Sequence, residues 1–554
     1  MAACGSEREG FSSTNNGNQP PEGVFGDEDG NGTPDGDFGK PGAGDGDTQD
    51  PVDCASAARL KSYVGCDYWP TITPNVVWSI FDYAVVVANT GPHEAAITVT
   101  GPNGTNKTAT VPSGQLRKIY LPWVPALKGG DADACGAPPD LEGSVIVNEG
   151  AYHLVSSSPV TVYQFNALEY TGEGGEDESG GPKDWSECPG TVRMCGKIKI
   201  GCFSFSNDAS LLLPSTAMTN TYRVMGYKGA SAAPWAGAPG LVATVLSVTS
   251  TQPNTSVTVA LSPTAKVVAS QNGQVAATEG GSTLTFDLPN AGDVLELVSE
   301  KGQEYDFSGS LVQSTKPVQV ITSTPCINIP SDKQACDHLE ETVLPAETLG
   351  KHYVVTPPTG PKGEPVGHVV RLYGNKDGTT LEYKPTKPEK CPDTLGAGQV
   401  ADCEIVAEDQ AFEVTGSQEF GVATFLLGAR HYDWSGMDKR GDPDQSYYPS
   451  VEQFRTKYVF LGPNDYPVLY ADITAPAETE IVLDDAPLEA TWTAIGDGRF
   501  GVHRVDLTKS GRDGVHTLTA SKPVGVQVIG FGDNTSFQYP GGLNLTLIAA
   551  PPPK

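Results

Sequence analysis

Apolar and polar residues alternate along most of this chain with a period of two, in short Val-, Thr-, Ile- and Tyr-rich runs broken by Gly, Pro and Asn. One such run recurs four times. It reads Pro159-Val160-Thr161-Val162-Tyr163-Gln164-Phe165, Pro317-Val318-Gln319-Val320-Ile321-Thr322-Ser323, Phe420-Gly421-Val422-Ala423-Thr424-Phe425 and Pro523-Val524-Gly525-Val526-Gln527-Val528-Ile529-Gly530. A polar stretch precedes each copy, and β-branched residues suit a pleated surface. A leading Pro is tolerated where no ladder donor is needed. Each copy is therefore expected to be a late strand entered through a tight turn. Upstream lies a second recurring phrase: Tyr63-Val64-Gly65, Tyr222-Arg223-Val224, Tyr353-Val354-Val355 and Tyr458-Val459-Phe460.

The two phrases bracket units of roughly 105 to 160 residues, too long for a solenoid repeat or a propeller blade and suited to a sandwich of about seven to ten strands. The pattern predicts an all-β chain with about four tandem β-sandwich-like domains. Their expected ranges are 54–190, with a Gly/Glu-rich insert near its end, then 191–325, 326–432 and 433–554. Residues 1–53 are rich in Gly, Asp, Glu, Asn, Ser and Pro and nearly free of large apolar side chains. They cannot offset the entropy of ordering and are expected to form a disordered acidic linker. Helical periodicity is scarce, and 64 Gly with 45 Pro place frequent turns between strands.

A formal charge of −31 argues against nucleic acid, whose phosphates require Lys and Arg, and against docking on an anionic membrane. It gives the chain a soluble acidic surface. Eleven cysteines favour an oxidising compartment. Cys4 stands apart, leaving an even ten. Close spacing predicts the clips Cys54–Cys66, Cys326–Cys336 and Cys391–Cys403, and leaves the pairing among Cys135, Cys188, Cys195 and Cys202 open. Zinc spacing is absent, with no CxxC and with His338 the one nearby imidazole.

Met1-Ala2-Ala3-Cys4-Gly5 resembles the end of a bacterial lipoprotein signal, in which Cys4 would carry the lipid, although no charged or apolar stretch precedes it. On that reading the protein is a bacterial outer-membrane lipoprotein, tethered and not spanning, since no run of about 18 apolar residues occurs. The run Asp27-Glu28-Asp29-Gly30-Asn31-Gly32, followed by Asp35, matches the first half of a calcium loop, but Phe38 stands where the closing Glu belongs. A solvated spacer is the expectation and weak calcium binding at Asp27, Asp29, Asn31 and Asp35 the alternative. No other cofactor is implied.

A short acidic or hydroxyl-bearing patch recurs near the unit boundaries, around Asp208 and Ser210, at Asp337, and at Asp444 and Ser446. Turn capping is the first reading. A repeated ligand or metal contact at the interdomain seams is the second.

Catalysis has no visible constellation. HExxH, GxSxG and a phosphate-cradling Gly-rich loop are all missing, and the eight His are scattered. The chain is not expected to be an enzyme.

Three long phrases carry a family resemblance. They are Ser206-Asn207-Asp208-Ala209-Ser210-Leu211-Leu212-Leu213-Pro214, Leu344-Pro345-Ala346-Glu347-Thr348-Leu349-Gly350-Lys351-His352-Tyr353 and Gln538-Tyr539-Pro540-Gly541-Gly542-Leu543-Asn544. They resemble the IgGFc-binding protein N-terminal domain family, and the lipoprotein-like head would make this chain a bacterial surface member. The resemblance implies an extracellular or cell-surface binding module without implying that IgG is bound, and no family ligand residue maps onto these positions. The expected function is non-catalytic binding or adhesion, with loops of the tandem domains presented to a protein or glycan. A self-associating envelope or matrix component is the alternative, and a hydrolase with an interdomain cleft the second.

Overall fold

The computed structural model describes residues 50–552, except 90, 136–138, 178–179, 205, 231–241, 334–335, 434, 436, 464 and 509–513. Cys4, Asp27, Asp29, Asn31 and Asp35 lie outside the described residues, as does nearly all of the acidic linker.

Strands dominate, and four sandwich-like units repeat one plan. The second unit shows it. One sheet runs Thr283–Leu288, Thr255–Ala260, Leu311–Ser314, Thr221–Arg223; the other runs Asp337–Thr342, Val318–Ile327, Val245–Ser250, Val294–Val298, Val145–Val147. Alternation directs the packing: Val257 and Val259 turn into the sandwich while the neighbouring Ser256 and Thr258 are half exposed. The sheets run past the sequence boundaries. Val145–Val147, from the first segment, edges the second unit, and Ala209–Leu211 pairs back onto the first.

The recurring Pro-Val phrase is the strand on which each unit turns from one sheet to the other. Residues 153–156 of His153–Phe165 pair with Ala95–Gly101 in one layer, and residues 160–165 pair with Tyr83–Asn89 in the other. Val515–Gly532 divides likewise, pairing with Ile481–Leu483 and then with Val468–Pro476. Proline fits the switch because it has no N–H to lose where the ladder changes partner. The expected turn interrupts the chain before Val318 and Phe420. In the first and fourth units it is instead a bend inside a continuous strand, because the residues on both sides remain paired.

A buried tyrosine latches every switch. The hydroxyls of Tyr68, Tyr222 and Tyr353 donate to the carbonyls of Val160, Val318 and Phe420, each at 2.6 Å, and Tyr458 donates to Val524 O. In three units the same hydroxyl accepts the N–H three residues upstream, from Thr219, Gly350 and Arg455. Three of the four latches come from the recurring Tyr phrase. In the first unit Tyr68 takes the role, and Tyr63 reaches Val459 of the fourth unit instead. Tyr222→Phe keeps the packing and strips the switch carbonyl of its donor. It is expected to cost about 1–3 kcal/mol, read as a lower denaturant midpoint with unchanged far-UV circular dichroism; an unshifted midpoint would discard the latch.

After the switch the chain reverses into a closing strand: Ala209–Leu211, Asp337–Thr342, Asp444–Tyr447 and Thr535–Pro540. The first closing strand touches the second, the second the third, the third the fourth, and the fourth returns to the first. The four units thus form a propeller-like ring. The blade excluded on repeat length exists because each unit supplies two layers in place of the single sheet of an ordinary blade. The ring shuts between its ends: Leu545 N donates to Lys61 O, and Lys118 pairs with Asp465 at 2.6 Å. The largest apolar cluster draws on all four units (Tyr163, Leu211, Leu339, Tyr447 and Phe537 among its members), while the first three units also keep sandwich cores of their own.

Covalent and ionic ties brace this arrangement. Five disulfides join Cys54–Cys66, Cys135–Cys195, Cys188–Cys202, Cys326–Cys336 and Cys391–Cys403. Between the second and third units, buried Arg371 contacts Asp402 at 2.6 Å, Asp306 at 2.7 Å and Gly226 O at 2.8 Å. Its guanidinium also lies over the Tyr227 ring.

Candidate functional site at the ring centre

The recurring acidic patches, each more than a hundred residues from the next, meet where the closing strands converge. Asp208, Ser210, Asp337, Asp444 and Ser446 are all at most 1% exposed. Asp208 and Asp337 tie two units reciprocally. Asp208 Oδ2 accepts Glu340 N at 2.6 Å, and Asp337 Oδ1 accepts Asn207 N at 2.6 Å. Each also caps the N–H of the residue that follows it. Ser446 Oγ donates to Gln527 Oε1 at 3.1 Å, linking the third unit to the fourth. Asp444 faces Asp208 and lies near the Gln538 main chain, and Asp442 lies near that of Ala429, with no well-formed hydrogen bond to the oxygens of either.

Burial pushes Asp208, Asp337, Asp442, Asp444 and Glu341 well above the usual carboxylate range. Proximity adds to this, through Asp444 beside Asp208 and through Asp442 and Asp208 around Asp337. Such groups keep a proton in preference to an unsolvated charge, and a neutral acid both donates and accepts.

A second network lies beside the first. Thr73 Oγ1 donates to Glu340 Oε2 at 2.6 Å, Gln164 Nε2 to Glu340 Oε1 at 2.8 Å, and Asn166 Nδ2 to Thr73 Oγ1 at 2.8 Å. His338 Nδ1 is 3.0 Å from Thr324 O, which can only accept, so Nδ1 carries the proton and Nε2 faces Asn166 and Thr73. These groups hold one another and the main chain. Among the described residues, no three or more His, Cys, Asp or Glu side chains are arranged to hold a metal ion.

Asp442, Asn166, Thr73 and Arg371 belong to no motif or repeat of the sequence. A signal for the centre was available: Gln164, Thr322, Thr424 and Gln527 are polar residues set among apolar neighbours in the buried halves of the switch strands, and such residues need partners. Larger openings lie elsewhere. A 190 Å³ cleft at the seam between the second and third units is bordered by Tyr227, Asn328 and Asp402, and one of 470 Å³ on the third unit by Glu364, His431 and Arg440.

The family model described as IgGFc binding protein matches residues 208–530, more than half of the chain, from the first closing strand to the last switch strand. The chain belongs to the IgGFc binding protein family. A human relative, "IgGFc-binding protein", is 24% identical over 261 residues, which cover 46% of this chain and 4% of that protein. A solved structure titled "Crystal structure of tetra-tandem repeat in extending region of large adhesion protein" aligns at 12% identity over 87% of this chain and 99% of its own, with a TM-score of 0.09 that carries no argument. The family match spans the residues that build most of the ring centre, including Asp208, Asp337 and Asp444. With the five disulfides, membership in the IgGFc binding protein family points to an extracellular binding protein from an oxidising compartment.

Proposed function

We propose that this chain is a non-catalytic extracellular binding or adhesion protein whose ring of β-units presents loops and clefts to a protein or glycan ligand. The family match over residues 208–530 carries the reading. The geometry supports it, because the carboxyls that recur along the sequence are walled into the centre, where they brace a scaffold. Rigid sheets carrying variable loops are a common platform for recognition. The surface patches that would meet a partner are then the clefts and the loops around them, not Asp208, Ser210, Asp337, Asp444 or Ser446. Lipid tethering through Cys4 and a bacterial cell surface belong to the same proposal and rest on the head sequence alone.

Arrays of glycans and of extracellular proteins, with the Fc fragment of IgG among them, test the reading. The expected result is saturable binding to at least one, weakened at least tenfold by Arg440→Glu or Tyr227→Ala at the clefts and unaffected by Ser210→Ala at the centre. A blank array, together with turnover in a hydrolase screen, would reverse it.

A further inference from the structure

A cavity of about 560 Å³ lies where the first and second units meet, and shares no lining residue with either of those clefts. Its floor includes Glu296, on Val294–Val298 between Val245–Ser250 and the edge strand Val145–Val147. Glu296 is 3% exposed, and its Oε2 has no hydrogen-bond partner. Directly across the ladder, the Ser247 hydroxyl is also buried without a partner. This strand is buried on both faces, and its other four residues are hydrocarbon: Val294, Leu295, Leu297 and Val298. A carboxyl here costs stability unless something completes it.

The remaining lining narrows what that partner is. Asp140 and Glu142 add further carboxyls, and among the described residues no Lys, Arg or His lines the cavity. Leu127, Pro139, Leu141 and Val145 provide an aliphatic wall. Of the nearby cations, Lys128 is held by Val77 O and Asp131, and Lys301 by the lining carboxylate Asp140, which leaves Glu296 without a cation of its own. The geometry points to a binding site for a primary alkylammonium, its charged head on the Glu296 carboxylate and its stem along the Leu127–Leu141–Val145 wall. The head comes from a free aliphatic amine or from a lysine side chain. Burial alone pushes the Glu296 carboxyl well above the ordinary range, with no neighbouring charge or hydrogen bond contributing. An arriving ammonium would reverse that shift and release the proton. This site stands independently of the binding function proposed above.

Calorimetry on the full chain at physiological ionic strength tests it, with n-butylamine as the free amine, Nα-acetyl-lysine amide as the side-chain mimic and n-butanol as the neutral control. The expected result is one saturable site for n-butylamine, with heats that depend on the buffer's ionisation enthalpy because a proton is released. Glu296→Gln should weaken binding at least tenfold, while Glu480→Gln on an exposed turn leaves it unchanged. Binding of the lysine amide as well would assign the site to lysine side chains, and its failure to bind would assign it to free amines. Equal binding of n-butanol, undiminished binding to Glu296→Gln, or non-saturable uptake (the behaviour of a diffuse polyanion) would each overturn the proposal. If Glu296→Gln does not fold, Leu141→Trp fills the cavity from its wall and must abolish binding; retained binding in that variant overturns the site equally.

Discussion

Replacing Arg371 with Met is expected to destabilise the protein by about 3–5 kcal/mol, the range for removing one partner from a buried ionic group. The guanidinium is 2% exposed and offers its planar fork to Asp402 through Nε and Nη2, while Nη1 serves Asp306 and Gly226 O. Met fills much of the volume but strips Asp306 of its guanidinium and leaves Asp402 only the half-exposed Lys228, 3.7 Å away. Arg371→Lys should recover part of the loss, because an ammonium cannot reproduce a bidentate fork and a carbonyl contact together. The triple variant Arg371→Met, Asp306→Asn, Asp402→Asn should recover most of it, since the cost of the single change lies in the stranded charges. Guanidinium denaturation with the disulfides intact measures all three. A single variant as stable as the parent would show that the seam contributes nothing to the fold.

Thermal stability is expected to fall as pH rises from about 5 to 9, the reverse of simple acid denaturation. Asp208, Asp337, Asp442, Asp444, Glu341 and Glu296 all have folded-state values raised by burial, and Glu169 is pushed up to about 7. A raised folded value means that the native state holds a proton which the unfolded chain gives up near pH 4. The contribution is fully present below that pH and is lost as pH climbs through the folded values. The opposite class includes Asp402 and Asp67, which hydrogen-bonded or charged neighbours hold low against the opposing effect of burial. Their contribution is present above about pH 4 and lost below it, so it sets the acid limb. Stability should therefore peak on the mildly acidic side of neutrality.

Asp444→Asn isolates the centre. Asn keeps a donor and an acceptor facing Asp208 but has no proton to lose, so the alkaline decline should flatten, with a gain of about 1–3 kcal/mol at pH 8 and little change at pH 5. The exposed carboxylates that dominate the −31 charge are fully ionised above about pH 6 and add nothing to that slope. A melting temperature that rises steadily from pH 5 to pH 8, or an Asp444→Asn variant with the parental slope, would falsify the neutral-acid centre.

The switch strands were legible because their signal is local. Alternation with β-branched residues fixes extended backbone, and a Pro that recurs at one position marks where ladder donors are not needed. Tyr222, Tyr353 and Tyr458 were legible as repeats, but the hydrogen bond that explains their recurrence was not. In the first unit the phrase pointed to Tyr63 although Tyr68 makes the latch, because a pattern match weighs neighbours and a hydroxyl needs only reach. The recurrence of Asp208, Asp337 and Asp444 was equally plain. Their convergence was not, since residues far apart in the chain become neighbours only once the ring has closed.

From the sequence alone came the period-two backbone, the repeat of the unit and the acidic, thiol-rich character of the chain, because each depends on residues near one another or on simple sums. The tertiary structure decided the propeller-like closure, the connectivity of the four middle cysteines and the burial that raises the central carboxyls above their ordinary range. Those depend on which surfaces leave water together. A carboxyl's charge is set by its solvent, and only the assembled ring determines how much solvent Asp208 and Asp444 retain.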